Sequence, residues 1–227
     1  MSECKVFIIA AVRRNHSTSL SDVIGSEEEK FMKTRYLALM PFLAAALIGP
    51  LSLAQAPVFV ISPQQSTVKF NVKASVAIAG NFEKWDATLT FTSPDVSTGV
   101  LDIKIQAASV NTGSGMKDGK LRGKDFFDVE QNPLITFKST KIVQTGPATF
   151  DVPGTFTIRG VSKPETLTLT VSGVGTGSGE IKGTMAFDRK EFGMNSGIPF
   201  IKVADRVEVD VDLTGKRISG PPLALKP

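Results

Sequence analysis

The residues that ordinarily carry enzyme chemistry are scarce in this chain and badly placed for it. It holds one cysteine, Cys4, and one histidine, His16, both ahead of an apolar stretch from Tyr36 to Leu53. The chain beyond Leu53 therefore contains neither, which removes Ser-His-Asp and Cys-His nucleophiles and the usual zinc ligand sets. The run Gly113-Ser114-Gly115-Met116-Lys117-Asp118-Gly119-Lys120 imitates a phosphate loop. It fails on spacing, because Ser114 stands where the first glycine belongs and Leu121 replaces the hydroxyl. Gly173, Gly175, Gly177 and Gly179 lie between two strand-like runs and read as a flexible hairpin loop. Asp125 and Asp128 flank Phe126-Phe127 as solvated charges, not as an acid–base pair. No metal or cofactor is expected. What remains is apolar chemistry. Beyond Tyr36 the aromatics are phenylalanine and the single Trp85, and a ring without a hydroxyl suits a wall facing hydrocarbon. A filled β-domain core also buries phenylalanine, so composition alone does not decide.

The elements that must carry these rings show a period of two. Val68, Phe70 and Val72 alternate with polar residues, as do Leu89 and Phe91, then Leu101, Ile103 and Ile105. Ile135 and Phe137 continue the pattern, followed by Phe156 and Ile158, Leu167, Leu169 and Val171, Met185 and Phe187, and finally Val207 to Leu213. Successive side chains of a strand point to opposite faces, so each run has one dry face and one wet face. The candidate ligand wall is therefore Val68, Phe70, Leu89, Phe91, Ile103, Ile105, Ile135, Phe137, Phe156, Ile158, Leu167, Leu169, Met185 and Phe187. Phe126 and Phe127 join it as guards of the mouth.

Ser93-Pro94-Asp95, Gly146-Pro147, Val152-Pro153-Gly154 and Ser172 to Gly179 are expected as breaks between strands. Met116 to Asp128 lacks alternation and is expected as a short helix and turn covering one end; a second helical turn is expected at Arg189 to Phe192. Eight or so strands with so little helix leave a sandwich or a closed barrel. Closure removes edges that a strand as long as 205–214 would expose.

Met32-Lys33-Thr34-Arg35, the apolar stretch and Ala54-Gln55-Ala56 have the order of a secretory signal peptide cut after Ala56. Residues 32–56 are so assigned, 1–31 are expected as a non-native or disordered leader ahead of a start at Met32, and 57–227 as one β-domain. No later apolar run reaches spanning length, so no stable membrane span is expected after processing. A net charge of +4, with no Lys/Arg block interleaved with aromatics, points away from nucleic acid.

Four segments together carry a resemblance: Ser66-Thr67-Val68-Lys69-Phe70 leading to Gly80-Asn81-Phe82; Ser109-Val110-Asn111-Thr112 through Asp125-Phe126-Phe127-Asp128 to Asn132-Pro133-Leu134-Ile135-Thr136-Phe137-Lys138-Ser139; Gly154 to Lys163; and Asp188-Arg189-Lys190-Glu191-Phe192-Gly193-Met194 with Asp205 to Val209. In this order and spacing, from about Phe59 to Leu213, the chain resembles the YceI-like, polyisoprenoid-binding family of periplasmic proteins. The resemblance implies an all-β, extended eight-stranded antiparallel barrel of lipocalin type, with an interior that binds an isoprenoid or other long-chain lipid. It also implies a periplasmic location, and it leaves a homodimer open. Two departures stand out: Gln65 and Lys120 occupy positions where the family often has histidine. The expected function is to carry or sequester a polyprenyl or quinone lipid without catalysis. The rivals are an interaction module with a filled core and a lipid-modifying enzyme.

Overall fold

A computed structural model describes residues 55–75, 78–197 and 202–226. The leader and almost all of the signal segment lie outside the described residues.

In chain order the elements are β1 (Val58–Ile61), β2 (Thr67–Ala74), β3 (Ile78–Phe82), β4 (Trp85–Thr90), β5 (Val100–Gln106), β6 (Val110–Asn111), α1 (Gly115–Arg122), β7 (Leu134–Ser139), β8 (Val143–Gln144), β9 (Thr149–Ile158), β10 (Val161–Val171), β11 (Ser178–Asp188) and β12 (Val203–Ser219). All twelve strands belong to one sheet, and every pairing between them is antiparallel. The expected eight strands reappear once two bends are recognised. β3 and β4 are a single strand kinked at Glu83 and Lys84, and β5 and β6 are another kinked at Ala107–Ser109. The kinks are stitched together: the Glu83 N–H donates to the Ser109 carbonyl (3.1 Å) and the Lys84 N–H to Ser109 Oγ (3.0 Å). The succession of hydrogen-bonded neighbours then runs β2, β3–β4, β5–β6, β7, β9, β10, β11, β12 and back to β2. β1 pairs with the end of β12 and packs Phe59 on Phe91, with ring centroids 5.6 Å apart; β8 pairs with β9.

The two-residue period becomes burial directly. Along β2, Val68, Phe70 and Val72 are buried while Thr67, Lys69, Asn71 and Lys73 are exposed. β5, β7, the later half of β10 and the second half of β11 behave in the same way. One expected break is corrected: Val152-Pro153-Gly154 is not a turn but the middle of β9. Pro153 is tolerated there because its carbonyl faces away from β10, accepting the Thr140 N–H at 2.9 Å. In a strand the amide nitrogen points the same way as its own carbonyl. The missing N–H therefore falls in the gap between β7 and β8, and the ladder to β10 loses nothing.

β10 and β11 pair only over Thr168–Val171 and Ile181–Thr184, then part. The expected helical turn, Arg189–Phe192, forms as a 3-10 turn beside this split. Fully buried Phe192 sits edge-on against Phe156 and Phe187, with centroids 5.4 and 5.2 Å away.

Candidate ligand-binding site

The inward faces of the strands enclose two apolar spaces. The larger, a chamber of about 400 Å³, lies under α1 and is walled by β2, β3, the lower part of β9 and the facing residues of β11 and β12. The smaller, of about 130 Å³, lies at the other end beneath the glycine-rich loop between β10 and β11 and the C-terminal segment. The wall of the larger chamber is hydrocarbon except at the α1 rim and at Arg189. Among the described residues no buried side-chain nitrogen or oxygen lacks a hydrogen-bond partner. Among the described residues no three His, Cys, Asp or Glu side chains converge to hold a metal.

The lid is positioned from both ends. At its start the buried carboxylate of Asp118 accepts the Thr112 N–H (2.8 Å) and the Thr112 hydroxyl (2.7 Å). The hydroxyl bond, with the backbone bond and Arg122 nearby, holds the Asp118 pKa below the usual 3.8 against the opposing effect of burial. At its end Arg122 donates to the carbonyls of Ala108 (2.8 Å) and Val110 (3.0 Å), tying the helix to the kink between β5 and β6. Leu121, Phe126 and Phe127 turn inward, and Phe127 packs on Phe82 at 5.8 Å. Met116, 88% exposed, stands on the rim with Lys117 and Lys120. Lys120 pairs with Asp125 at 2.5 Å, and that contact lowers the Asp125 pKa. Opposite, the buried Arg189 guanidinium donates to the carbonyls of Met194, Ser196 (2.9 Å) and Ala204 (3.1 Å) and to Asp205 (3.1 Å).

The residues expected from sequence distribute between the two spaces. Val68, Phe70, Ile105, Phe126, Phe127, Ile135, Phe156, Ile158 and Phe187 line the larger chamber. Leu89, Phe91 and Leu169 line the smaller one. Ile103, Phe137, Leu167 and Met185 are buried but line neither space. Sequence reasoning left out Ile78, Phe82, Leu121, Met194 and Val203 of the larger chamber, together with Val72, Val207 and Val209. Val72, Val207 and Val209 share the alternation of named neighbours and were findable by parity; Phe82 was marked only by the Gly80-Asn81-Phe82 segment. No helix among the described residues is long and apolar enough to cross a membrane.

Comparison with known proteins agrees with this architecture. The family model of the YceI-like domain matches residues 59–215. A UPF0312 protein of Vibrio parahaemolyticus is 28% identical over 179 residues, covering 76% of this chain and 94% of that protein. A UPF0312 protein of Pseudomonas savastanoi is 29% identical over 143 residues, 61% of this chain and 73% of its own length. Among solved structures, Burkholderia cenocepacia BcnA superposes with a TM-score of 0.63 at 28% identity, covering 68% of this chain and 99% of that one. A polyisoprenoid binding domain from Saccharophagus degradans shares the fold at a TM-score of 0.57 and 15% identity, covering 71% and 99%. By its matched span, its curled antiparallel sheet and these relatives, the chain belongs to the YceI-like family.

Proposed function

We propose that this protein binds a long-chain isoprenoid-type lipid, a polyprenyl or quinone tail, inside the larger chamber, and carries or sequesters it in the periplasm without chemical change. The observation that carries the reading is the chamber itself: about 400 Å³ of space walled mainly by Phe, Val and Ile, with Lys117 and Lys120 at the rim and Arg189, engaged by backbone carbonyls and Asp205, as the one charged group of the wall below it among the described residues. A filled interaction module has no use for such a space, since unfilled apolar volume costs stability. The polyisoprenoid binding in the name of the Saccharophagus degradans domain supports the same ligand class.

The energetics suffice. Each buried methylene contributes about 0.8 kcal/mol, so ten supply about 8 kcal/mol gross. Lost translation and chain ordering offset several kcal/mol, which leaves micromolar binding within reach. Lys117 and Lys120 at the rim suit an anionic or polar head group held at the mouth while the tail is buried. Organic extraction and mass spectrometry of the protein purified from its own host is the test. A co-purifying prenyl lipid is the expected result. Protein that carries none and takes up no isoprenol overturns the reading; turnover of the bound lipid would instead favour an enzyme.

A further inference from the structure

Among the described residues two that are not glycine hold a left-handed backbone, Arg159 (φ 55°) and Asp128 (φ 50°), and both belong to the junction between the lid and the β9–β10 hairpin. Asp128 ends the loop behind α1. Its carboxylate accepts from Asn132 (3.3 Å), whose Oδ1 lies 2.8 Å from where a Cβ on Gly160 would stand. Arg159 precedes that glycine in the two-residue turn joining Ile158 to Val161. Such a turn takes positive φ at both positions, and asparagine or glycine adopts it at least cost. An arginine there is strained, so the reason for it lies in its side chain. The half-buried guanidinium spans two segments: Nη2 donates to the Lys124 carbonyl (2.8 Å) and Nη1 to the Gly193 carbonyl. Gly193 permits the approach, since a Cβ there would come within 2.9 Å of Nη1. Lys124 belongs to the loop that carries Phe126 and Phe127 into the chamber wall, and Gly193 caps the 3-10 turn beside the split between β10 and β11. Arg159 itself does not line the chamber.

We infer that Arg159 is a positioning residue, the latch of the lid: it ties the loop behind α1 to the 189–193 turn, and its release precedes the opening through which a lipid enters and leaves the larger chamber. The inference rests on the lipid-binding reading above. The lid is bonded within itself, the Phe126 N–H donating to the Gly123 carbonyl (3.0 Å), the Phe127 N–H to Leu121 (2.9 Å) and Lys120 pairing with Asp125, so helix and loop move as one body. Its helix is anchored through Arg122 on the β5–β6 kink, whereas Arg159 holds the loop from a different hairpin. Loss of the second anchor leaves the first as a hinge, and a lid that swings on it takes Phe126 and Phe127 out of the chamber wall. A latch that holds the closed lid equally in empty and loaded protein slows entry and exit alike and leaves affinity unchanged.

The experiment compares the full-length protein with its Arg159→Gly and Arg159→Lys variants, using farnesol as the probe. Glycine removes the guanidinium but relieves the left-handed turn, so the unfolding midpoint should hold while the latch is lost. In Arg159→Gly the association and dissociation rates of farnesol, followed by rapid mixing, should both rise about tenfold, with Kd unchanged within about twofold. Lysine keeps the charge but reaches only one of the two carbonyls, so its rates should rise about threefold. In the ligand-free protein the amides of Phe126, Phe127 and Val129 should exchange about tenfold faster in Arg159→Gly, while those in the middle of β9 keep their protection. Lid amides and farnesol rates that both stay at wild-type values in Arg159→Gly overturn the latch. So does a loss of affinity and stability in which the lid amides are exposed no more than those of β9, because that pattern marks a structural residue only. Failure of farnesol to bind any of the three proteins removes the lipid-binding reading, and lid exchange in the ligand-free proteins still decides the latch.

Discussion

The ring of Phe137 lies directly over the backbone of Gly154, so that a methyl group added there would meet its Cζ at 2.8 Å, the Lys138 carbonyl at 2.6 Å and the Ser139 Cα at 2.9 Å. Two of those three neighbours are backbone and cannot rotate away. Gly154→Ala should therefore push β7 and β9 apart where Ser139 pairs with Gly154, destabilising the fold by about 2 kcal/mol. Chemical denaturation of the two proteins checks this; an unchanged midpoint would mean the strands adjust freely there.

Gly154 also shows where sequence reading stops. Its neighbour Pro153 suggests a turn, and only the pairing partners on each side reveal that the missing N–H falls in a gap between two strands. The alternation in β2, β5, β7 and β11 was legible because side-chain direction follows from position within a strand. The level of a residue along the barrel axis was not. That Ile105 walls the larger chamber while Ile103, two residues away on the same face, lines neither space depends on strand stagger, which long-range register sets. The kinks at Glu83–Lys84 and Ala107–Ser109 were likewise hidden, because they arise from bonds between segments about 25 residues apart and not from local turn residues. The candidate site was thus readable as a face and a residue class, but not as two compartments.

The lid should loosen in acid. Asp118 binds Thr112 through its ionised carboxylate, and its folded pKa lies below the usual 3.8 because of those hydrogen bonds. A depressed carboxylate contributes stability that is present above the unfolded value and lost as pH falls through the folded one. Amide protection at Thr112 and across α1, taken relative to the intrinsic exchange rate at each pH, should fall below about pH 4 more than protection in β9, the 3.8 of a free aspartate marking the upper edge of the window. Asp118→Asn should show that loss of protection already at neutral pH. Parallel behaviour of lid and barrel in both proteins would contradict the assignment.

Glu165 behaves in the opposite sense. It sits on β10 in the stretch that has no pairing to β11, and partial burial, with Glu191 nearby, raises its pKa above the ordinary 4.5. A raised carboxylate binds its proton more tightly in the folded protein, so stability declines as pH rises from 4.5 through the folded value. Glu165→Gln removes the ionisation and should raise Tm at pH 7. The gain should be small, about one to two degrees, because the site is partly exposed and solvent screens it. The difference should vanish below the ordinary value. Thermal melts at neutral and acid pH test both sign and window, and equal Tm values at pH 7 would refute it.

Arg189 is the charged group whose loss should be felt most widely. Its guanidinium is buried, lines the larger chamber, and gathers the carbonyls of Met194 and Ser196, just after the 3-10 turn, and of Ala204 at the start of β12. Asp205 neutralises it at 3.1 Å while also holding Lys190 at 2.8 Å. Only a planar fork with several N–H donors can satisfy carbonyls spread from Met194 to Ala204, so lysine is no substitute. Arg189→Met keeps the apolar stem but leaves those carbonyls without a donor, at a cost of about 2–4 kcal/mol. Arg189→Lys should recover at most half of that loss, since one ammonium cannot reach all the acceptors. Because Met194 itself and Val203, the neighbour of Ala204, belong to the chamber wall, lipid uptake should weaken together with stability. Urea unfolding and isoprenol titration of both variants make the comparison. Full stability in Arg189→Met would show that the carbonyls find other donors and that this guanidinium does not hold the wall in place.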